Sequence, residues 1–239
     1  MIIKNFAREL RVWAFVSHSN VVTLLGYVRE AKTYCILSEW MEDGSLNSKL
    51  KRQPMPFTVF QCLGIAQGMC YLHKKNIVHA DLKTYNVLLT RSGQPLLADF
   101  GISTMADSIY SKGFYTTNTS RGSIRWLPYE YYHIPNSEKF RFTTKSDVWA
   151  FGMTILELLT GNVPYAHIKD DGPVAAATMK EDSLPISEFK LVELLASGKP
   201  QKDMWQLCQA CWIKKPNDRP SMQQVLSVII WYKYHHGLV

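Results

Sequence analysis

The sequence predicts an α+β fold, with short strands and few helices in its first hundred residues and helices dominating the second half. Three features predict it. Val21 to Val28 and Thr33 to Glu39 are short β-branched or aromatic stretches separated by the charged turn Arg29-Glu30-Ala31-Lys32, the signature of paired strands. Val87-Leu88-Leu89 and Pro95-Leu96-Leu97-Ala98 flank a Ser92-Gly93 turn and read as a hairpin. From Ser146 onward the apolar residues recur at helical spacing.

The elements follow in order. Asn5 to Phe15 places Phe6, Leu10, Trp13 and Ala14 at helical spacing, and Ser17-His18-Ser19-Asn20 breaks the pattern. After the two strands, Asp43-Gly44-Ser45 is a turn in which Ser45 can cap a helix, because its hydroxyl can accept from an unpaired N–H of the first turn. Phe57 to His73 is a long helical pattern with Phe57, Phe60, Leu63, Ile65, Met69 and Leu72 near one side. Ile77-Val78 is a short strand ahead of the hairpin. Residues 103–124 are polar and aperiodic and read as a long loop, a feature that compact domains keep for function. Val148 to Leu159 is apolar nearly all round, interrupted by Glu157, and predicts a buried helix that Gly161-Asn162-Val163-Pro164 stops. Residues 166–200 are mixed and poorly periodic, and two helices follow near Asp203–Trp212 and Ser221–Tyr232.

Composition narrows the class. The chain has 239 residues, 46% hydrophobic and 20% charged, which suffices for a buried core and argues against disorder. The net charge is 27 − 20 = +7, but the basic residues are scattered, without the block or aromatic alternation that nucleic acid needs. A mildly basic, solvated surface explains the excess, and an acidic substrate such as a nucleotide phosphate also suits it. No apolar run approaches the ~18 residues of a membrane span, and Met1-Ile2-Ile3-Lys4 meets charge too early for a signal peptide. The five cysteines, Cys35, Cys62, Cys70, Cys208 and Cys211, are widely spaced and predict reduced thiols in a cytoplasmic setting. Cys208-Gln209-Ala210-Cys211 has the gap of a zinc pair, but Trp205, Leu207 and Trp212 around it favour a packed helix.

The chemistry concentrates in His79-Ala80-Asp81-Leu82-Lys83-Thr84-Tyr85-Asn86 and in Asp99-Phe100-Gly101. Each carboxylate, taken singly, reads as a turn residue capping a helix. Together they form a phosphoryl-transfer set: a carboxylate to take a hydroxyl proton, a lysine to neutralise the moving phosphate, and hard oxygens for Mg²⁺.

These segments resemble the H-R-D-L-x-x-x-N catalytic loop and D-F-G metal loop of eukaryotic protein kinases. The order extends along the chain. Glu9 and His18-Ser19-Asn20 match the family's C helix and the turn after it, and Ser38-Glu39-Trp40-Met41 its gatekeeper and hinge. Gly122 to Glu130 matches the end of the activation segment, Ser146 to Gly152 the start of a central helix, and Cys211-Trp212 with Asp218-Arg219-Pro220 the late C-lobe. Gly44-Ser45-Leu46, Cys211-Trp212 and Arg219-Pro220 are similar to the tyrosine-kinase-like serine/threonine group.

The resemblance implies a two-lobe kinase-like fold: residues 1–41 a partial N-lobe holding the C helix, two strands and the hinge, and residues 42–239 a mainly helical C-lobe. It implies Asp81 as catalytic base, Lys83 on the γ-phosphate, and Asn86 and Asp99 as Mg²⁺ ligands. Adenine of ATP would meet the backbone of Glu39 and Met41 over Leu88, behind a small gatekeeper, Ser38. Ser123 would steady the base and Lys83. Lys83 itself favours a Ser/Thr acceptor, since tyrosine kinases usually lack a lysine two residues after the base. Trp13, Leu24, His79 and Phe100 would stack as a hydrophobic spine anchored by Asp147, and Glu130 and Arg219 would pair to fix the activation segment.

Three departures qualify the match. No glycine precedes Gly26, and Lys4 and Glu9 are only 9 − 4 = 5 positions apart, so the expected N-lobe lacks the glycine-rich loop and the strand lysine. Ala80 replaces the arginine before the base, and of the A-P-E triplet, here Pro128-Tyr129-Glu130, only Glu130 is kept. The resemblance therefore implies a Ser/Thr protein kinase acting on protein substrates in signalling. Its alternative is an inactive kinase-fold module that binds protein partners, with one such partner covering the shortened N-lobe face; neither reading involves nucleic acid or a membrane.

Overall fold

The computed structural model describes residues 10–30, 33–53, 59–100, 104–105, 123–134, 140–180 and 183–236. Glu9 and Gly101 lie outside the described residues. Residues 10–14 form a helical turn, α1. β1 (Leu24–Glu30) and β2 (Thr33–Ser38) pair antiparallel. α2 (Leu46–Arg52) starts at Ser45, whose Oγ accepts from the Ser48 amide at 3.1 Å, as the turn chemistry predicts. α3 spans Val59–Lys74 and leads to β3 (Ile77–Val78). β4 (Val87–Leu89) and β5 (Pro95–Leu97) form the expected hairpin, and Gly93 turns it at φ 80°.

Two sequence expectations shift. Val21 and Val22 belong to no hairpin strand: the Val22 amide donates to the Leu97 carbonyl at 2.9 Å, and β1 begins three residues after Val21. Within the expected loop 103–124, Thr104–Met105 forms β6 and pairs with β3.

The C-terminal half is helical: α4 (Thr144–Thr160), α5 (Asp171–Met179), α6 (Glu188–Ala196), α7 (Lys199–Cys211) and α8 (Met222–His235). α5 and α6 occupy the stretch that sequence periodicity left unassigned. α4 is buried over nearly all of its length, from Ser146 to Leu158. A Thr143–Ser146 capping box opens it, and Gly161 closes it in the left-handed conformation at φ 67°, where a Cβ would be strained. Gly152 lets α7 come close, since a Cβ there would lie 2.7 Å from Cβ of Cys211. Cys208 and Cys211 sit buried on α7 as free thiols; burial pushes both up, Cys211 to about 12. α4 thus forms a rigid axis on which the loop 79–86 rests. No described helix is long and apolar enough to cross a membrane.

Candidate active site

The loop between β3 and β4 has few backbone bonds of its own, so its shape depends on what holds it. Asp147, at the start of α4 and 1% exposed, takes that part. Its Oδ2 accepts from the His79 amide at 2.9 Å and contacts Nε2 of His73 at 2.8 Å, and its Oδ1 accepts from the Ala80 amide at 2.9 Å. Ala80 is thereby held at φ 70°, a left-handed conformation that costs an L-residue about 1–2 kcal/mol. The kink turns Asp81 out of the buried face.

Asp81 then meets three groups. Its Oδ2 accepts from Lys83 Nζ at 2.8 Å and Asn86 Nδ2 at 2.9 Å, and its Oδ1 accepts from Ser123 Oγ at 2.8 Å. Ser123 Oγ in turn accepts from Lys83 Nζ at 2.7 Å. The loop and the segment 40 residues downstream are joined in one triangle of carboxylate, ammonium and hydroxyl. Asp81 and Lys83 retain 12% and 13% side-chain exposure, so both reach the surface yet have little room to swing.

Asn86 closes the same site. Its amide N–H groups reach both the Asp81 carboxylate and, at 2.8 Å, the Asp81 carbonyl, which leaves its side-chain oxygen as a hard ligand. The Ala98 amide donates to the Asn86 carbonyl at 2.9 Å, so Asn86 and Asp99 stand at the same end of the β4–β5 hairpin. Asp99 is exposed at φ 63°, while the next residue, Phe100, is 0% exposed. One carboxylate and one amide oxygen beside a lysine fit a Mg²⁺-nucleotide, since Mg²⁺ takes few protein oxygens and completes its shell with phosphate and water.

Rings of Trp13 and Phe100 lie 5.5 Å apart and those of Phe100 and His79 5.6 Å, and Leu24 packs against the same core. Met41 is buried and Glu39 exposed on the segment that links β2 to α2, with Ser38 exposed at the end of β2. The Gly44 carbonyl accepts from the Leu89 amide at 3.0 Å, which stitches that segment to β4 beside Leu88. Glu130 and Arg219, 89 positions apart, form a bidentate pair at 2.8 and 2.5 Å, with the Arg219 side chain 0% exposed. Arg219 also donates to the carbonyls of Ile213 and Lys145 and lies 4.9 Å over the ring of Trp149. Breaking such a buried pair from one side costs about 3–5 kcal/mol.

Glu157 is the residue that sequence reasoning passed over. It sits on α4, 1% exposed, and its oxygens accept from the Thr84 hydroxyl at 2.7 Å, the Thr84 amide at 3.2 Å and Trp126 Nε1 at 2.8 Å. It therefore ties the second half of the loop 79–86 to the segment that follows Ser123. Burial pushes its carboxyl up to about 7, against the opposing pull of the Thr84 and Trp126 hydrogen bonds and the Lys83 charge. The available signal was a lone acid in an apolar run, which must find donors when buried.

Residues 2–229 match the family described as protein tyrosine and serine/threonine kinase. Similar proteins include "Inactive tyrosine-protein kinase 7" of Homo sapiens, 32% identical over 94% of this chain. "Ephrin type-A receptor 3" of Danio rerio is 32% identical over 95% of it. The chain spans 21% and 22% of these two relatives' own lengths.

Proposed function

The chain belongs to the protein tyrosine and serine/threonine kinase family, and on that premise we propose that it transfers the γ-phosphate of ATP to serine or threonine hydroxyls of proteins. The observation that carries this reading is the triangle of Asp81, Lys83 and Ser123. Asp81 orients the acceptor hydroxyl and takes its proton on a carboxylate oxygen. Lys83 sits 2.8 Å from that carboxylate, so the same ammonium can offset charge on the phosphoryl oxygens as they approach. Ser123 fixes the lysine and the base relative to each other, and such positioning supplies most of the rate in phosphoryl transfer. Asn86 and Asp99 would hold Mg²⁺, whose positive charge would offset that of the nucleotide phosphates. Glu39 and Met41 would present backbone groups to adenine over Leu88.

The test is phosphotransfer by the natural protein to paired peptides that differ only in carrying Ser, Thr or Tyr. Label is expected on Ser and Thr, with a fall of ~10²–10⁴-fold in Asp81→Asn, the range for removing a general base. Transfer to Tyr alone, or a rate indifferent to Asp81→Asn, would overturn the reading.

A second reading is a kinase-fold module that binds proteins without transferring phosphate. Its support is the relative named as inactive, together with Ala80 standing beside Asp81 where the family carries arginine. Under it, neither wild type nor Asp81→Asn labels any peptide, although both fold alike.

A further inference from the structure

An open groove of about 560 Å³ runs outward from the catalytic triangle. Lys83 and Asn86, both bonded to Asp81, form its inner end, and Tyr85, Trp126, Arg125 and Asp171 line its walls. A polypeptide that brings a hydroxyl to Asp81 has to lie along it. The groove's charges decide what that polypeptide carries.

Arg125 is already satisfied. Its guanidinium donates to Asp171 at 3.1 Å, to the carbonyls of Pro164 and Tyr165 at 3.1 and 2.8 Å, and to that of Ile168 at 3.0 Å. Asp171, the carboxylate among the lining residues, is therefore neutralised by a fixed cation and offers little to a basic peptide. Around Tyr85 the charges differ. Lys51, exposed on the last turn of α2, donates from Nζ to the Tyr85 hydroxyl at 3.3 Å and lies 5.3 Å from the centre of that ring. Its described partner is a neutral phenol, so its charge stays available. The neighbouring Lys49 is held by Asp43 at 3.7 Å, and Arg52 donates to the Asp43 carbonyl at 2.6 Å, so a free ammonium is left at the rim beside Tyr85.

We propose that Tyr85 and Lys51 select protein substrates with an acidic side chain near the acceptor residue, the tyrosine as platform and the lysine as counter-charge. This inference rests on the phosphotransfer reading for its biological meaning, but the groove's preference can be measured without catalysis. An exposed charge pair is a modest effect that salt weakens, so discrimination of ~3–10-fold is expected at low ionic strength.

Two arms test it. In the first, binding to the natural protein is measured by fluorescence anisotropy for peptides whose acceptor is replaced by Ala, with Glu, Gln or Lys placed at each flanking position in turn. The Glu peptide should bind tightest at one or two positions, and Lys51→Glu should reverse the order so that the Lys peptide leads. In the second arm, kcat/KM for Ser peptides of the same series should follow the same order and the same reversal. Binding that reverses while no peptide is labelled would sink the phosphotransfer reading and leave the groove assignment standing. A preference for Lys in wild type, no detectable binding of any peptide, or an order that Lys51→Glu leaves unchanged would overturn the proposal.

Discussion

α4 fastens the loop 79–86 twice, and the two fastenings are built differently. Near its start, Asp147 meets two backbone amides and the His73 imidazole. Ten positions on, Glu157 receives only neutral donors: one amide, one hydroxyl and one indole. Both side chains are 1% exposed. At Glu157 desolvation outweighs these hydrogen bonds, and the carboxyl rises to about 7. Burial alone does not make an acid a firm anchor; the number and charge of its donors decide how much of the desolvation cost is offset. The first half of the loop, which carries Asp81, is thus held by a clamp of two backbone amides and an imidazole. The second half hangs from a carboxyl whose proton can come and go near neutral pH.

The largest effect should come from removing the first clamp. Asp147→Ala strands two buried amides and the imidazole. At about 1–3 kcal/mol for each unsatisfied buried donor, the loss should reach roughly 4 kcal/mol. The phosphotransfer proposed above should fall with it, because the bond from Asp147 to the left-handed Ala80 is lost. Urea unfolding measures the first quantity. A change below about 1 kcal/mol would mean that the loop keeps its shape without α4.

The second clamp should show itself through pH. The folded carboxyl of Glu157 titrates near 7 and its ordinary value is 4.5, so the folded state binds the extra proton between these limits. Stability from this group is therefore full below pH 4.5, declines as pH rises toward 7, and is flat above. The integrated change is roughly 3 kcal/mol. Glu157→Gln, which resembles the protonated form, should remove that slope, so the difference between wild type and variant should track pH in this window alone. Parallel stability curves from pH 4.5 to 7 would show that Glu157 stays ionised throughout.

How much of this was legible in the sequence follows from how far apart the partners are. Asp81, Lys83 and Asn86 fall within six consecutive residues, so the loop motif alone brings them together, and the hairpin that delivers Asp99 was readable from its turn. Ser123 joins them across 42 positions, and Glu130 meets Arg219 across 89; only the family resemblance linked those. Glu157 was visible as a charge without a visible reason, since Thr84 and Trp126 lie 73 and 31 positions away and carry no pattern of their own. α5 and α6 escaped for another cause. Apolar residues such as Phe189, 81% exposed, and Val192, 66% exposed, sit on the outer face and blur the periodicity that a buried stripe would show. β6 is two residues long and owes its form to β3, which no local pattern encodes.

A smaller change separates the Glu157 hydrogen bonds from its burial. Thr84→Val removes the 2.7 Å hydroxyl bond while keeping shape. That bond pulls the Glu157 carboxyl down, so its loss should move the titration further up and extend the declining arm of the stability curve above pH 7. Stability at neutral pH should fall by about 1.5–3 kcal/mol, the usual loss for a hydrogen bond to a charged group. An upper edge that stays near 7 would mean that the Thr84 amide and Trp126 already set the balance.

The smallest effect concerns Ala80, and it reports on the first clamp from the opposite side. At φ 70° an alanine carries left-handed strain of about 1–2 kcal/mol, and glycine would not. Glycine also frees the unfolded chain, at a cost of about 0.4–1 kcal/mol, so Ala80→Gly should be stabilising by under about 1 kcal/mol. Its use lies in the pair with Asp147→Ala. If the carboxylate holds the strained residue in place, then releasing the clamp lets Ala80 relax to a right-handed conformation, and glycine at that position gains nothing further. The two substitutions should then be non-additive, with the benefit of glycine lost in the Asp147→Ala background. Full additivity in urea unfolding would show that the left-handed turn is imposed by β3 and β4 on either side, and that Asp147 only follows a shape the loop already has.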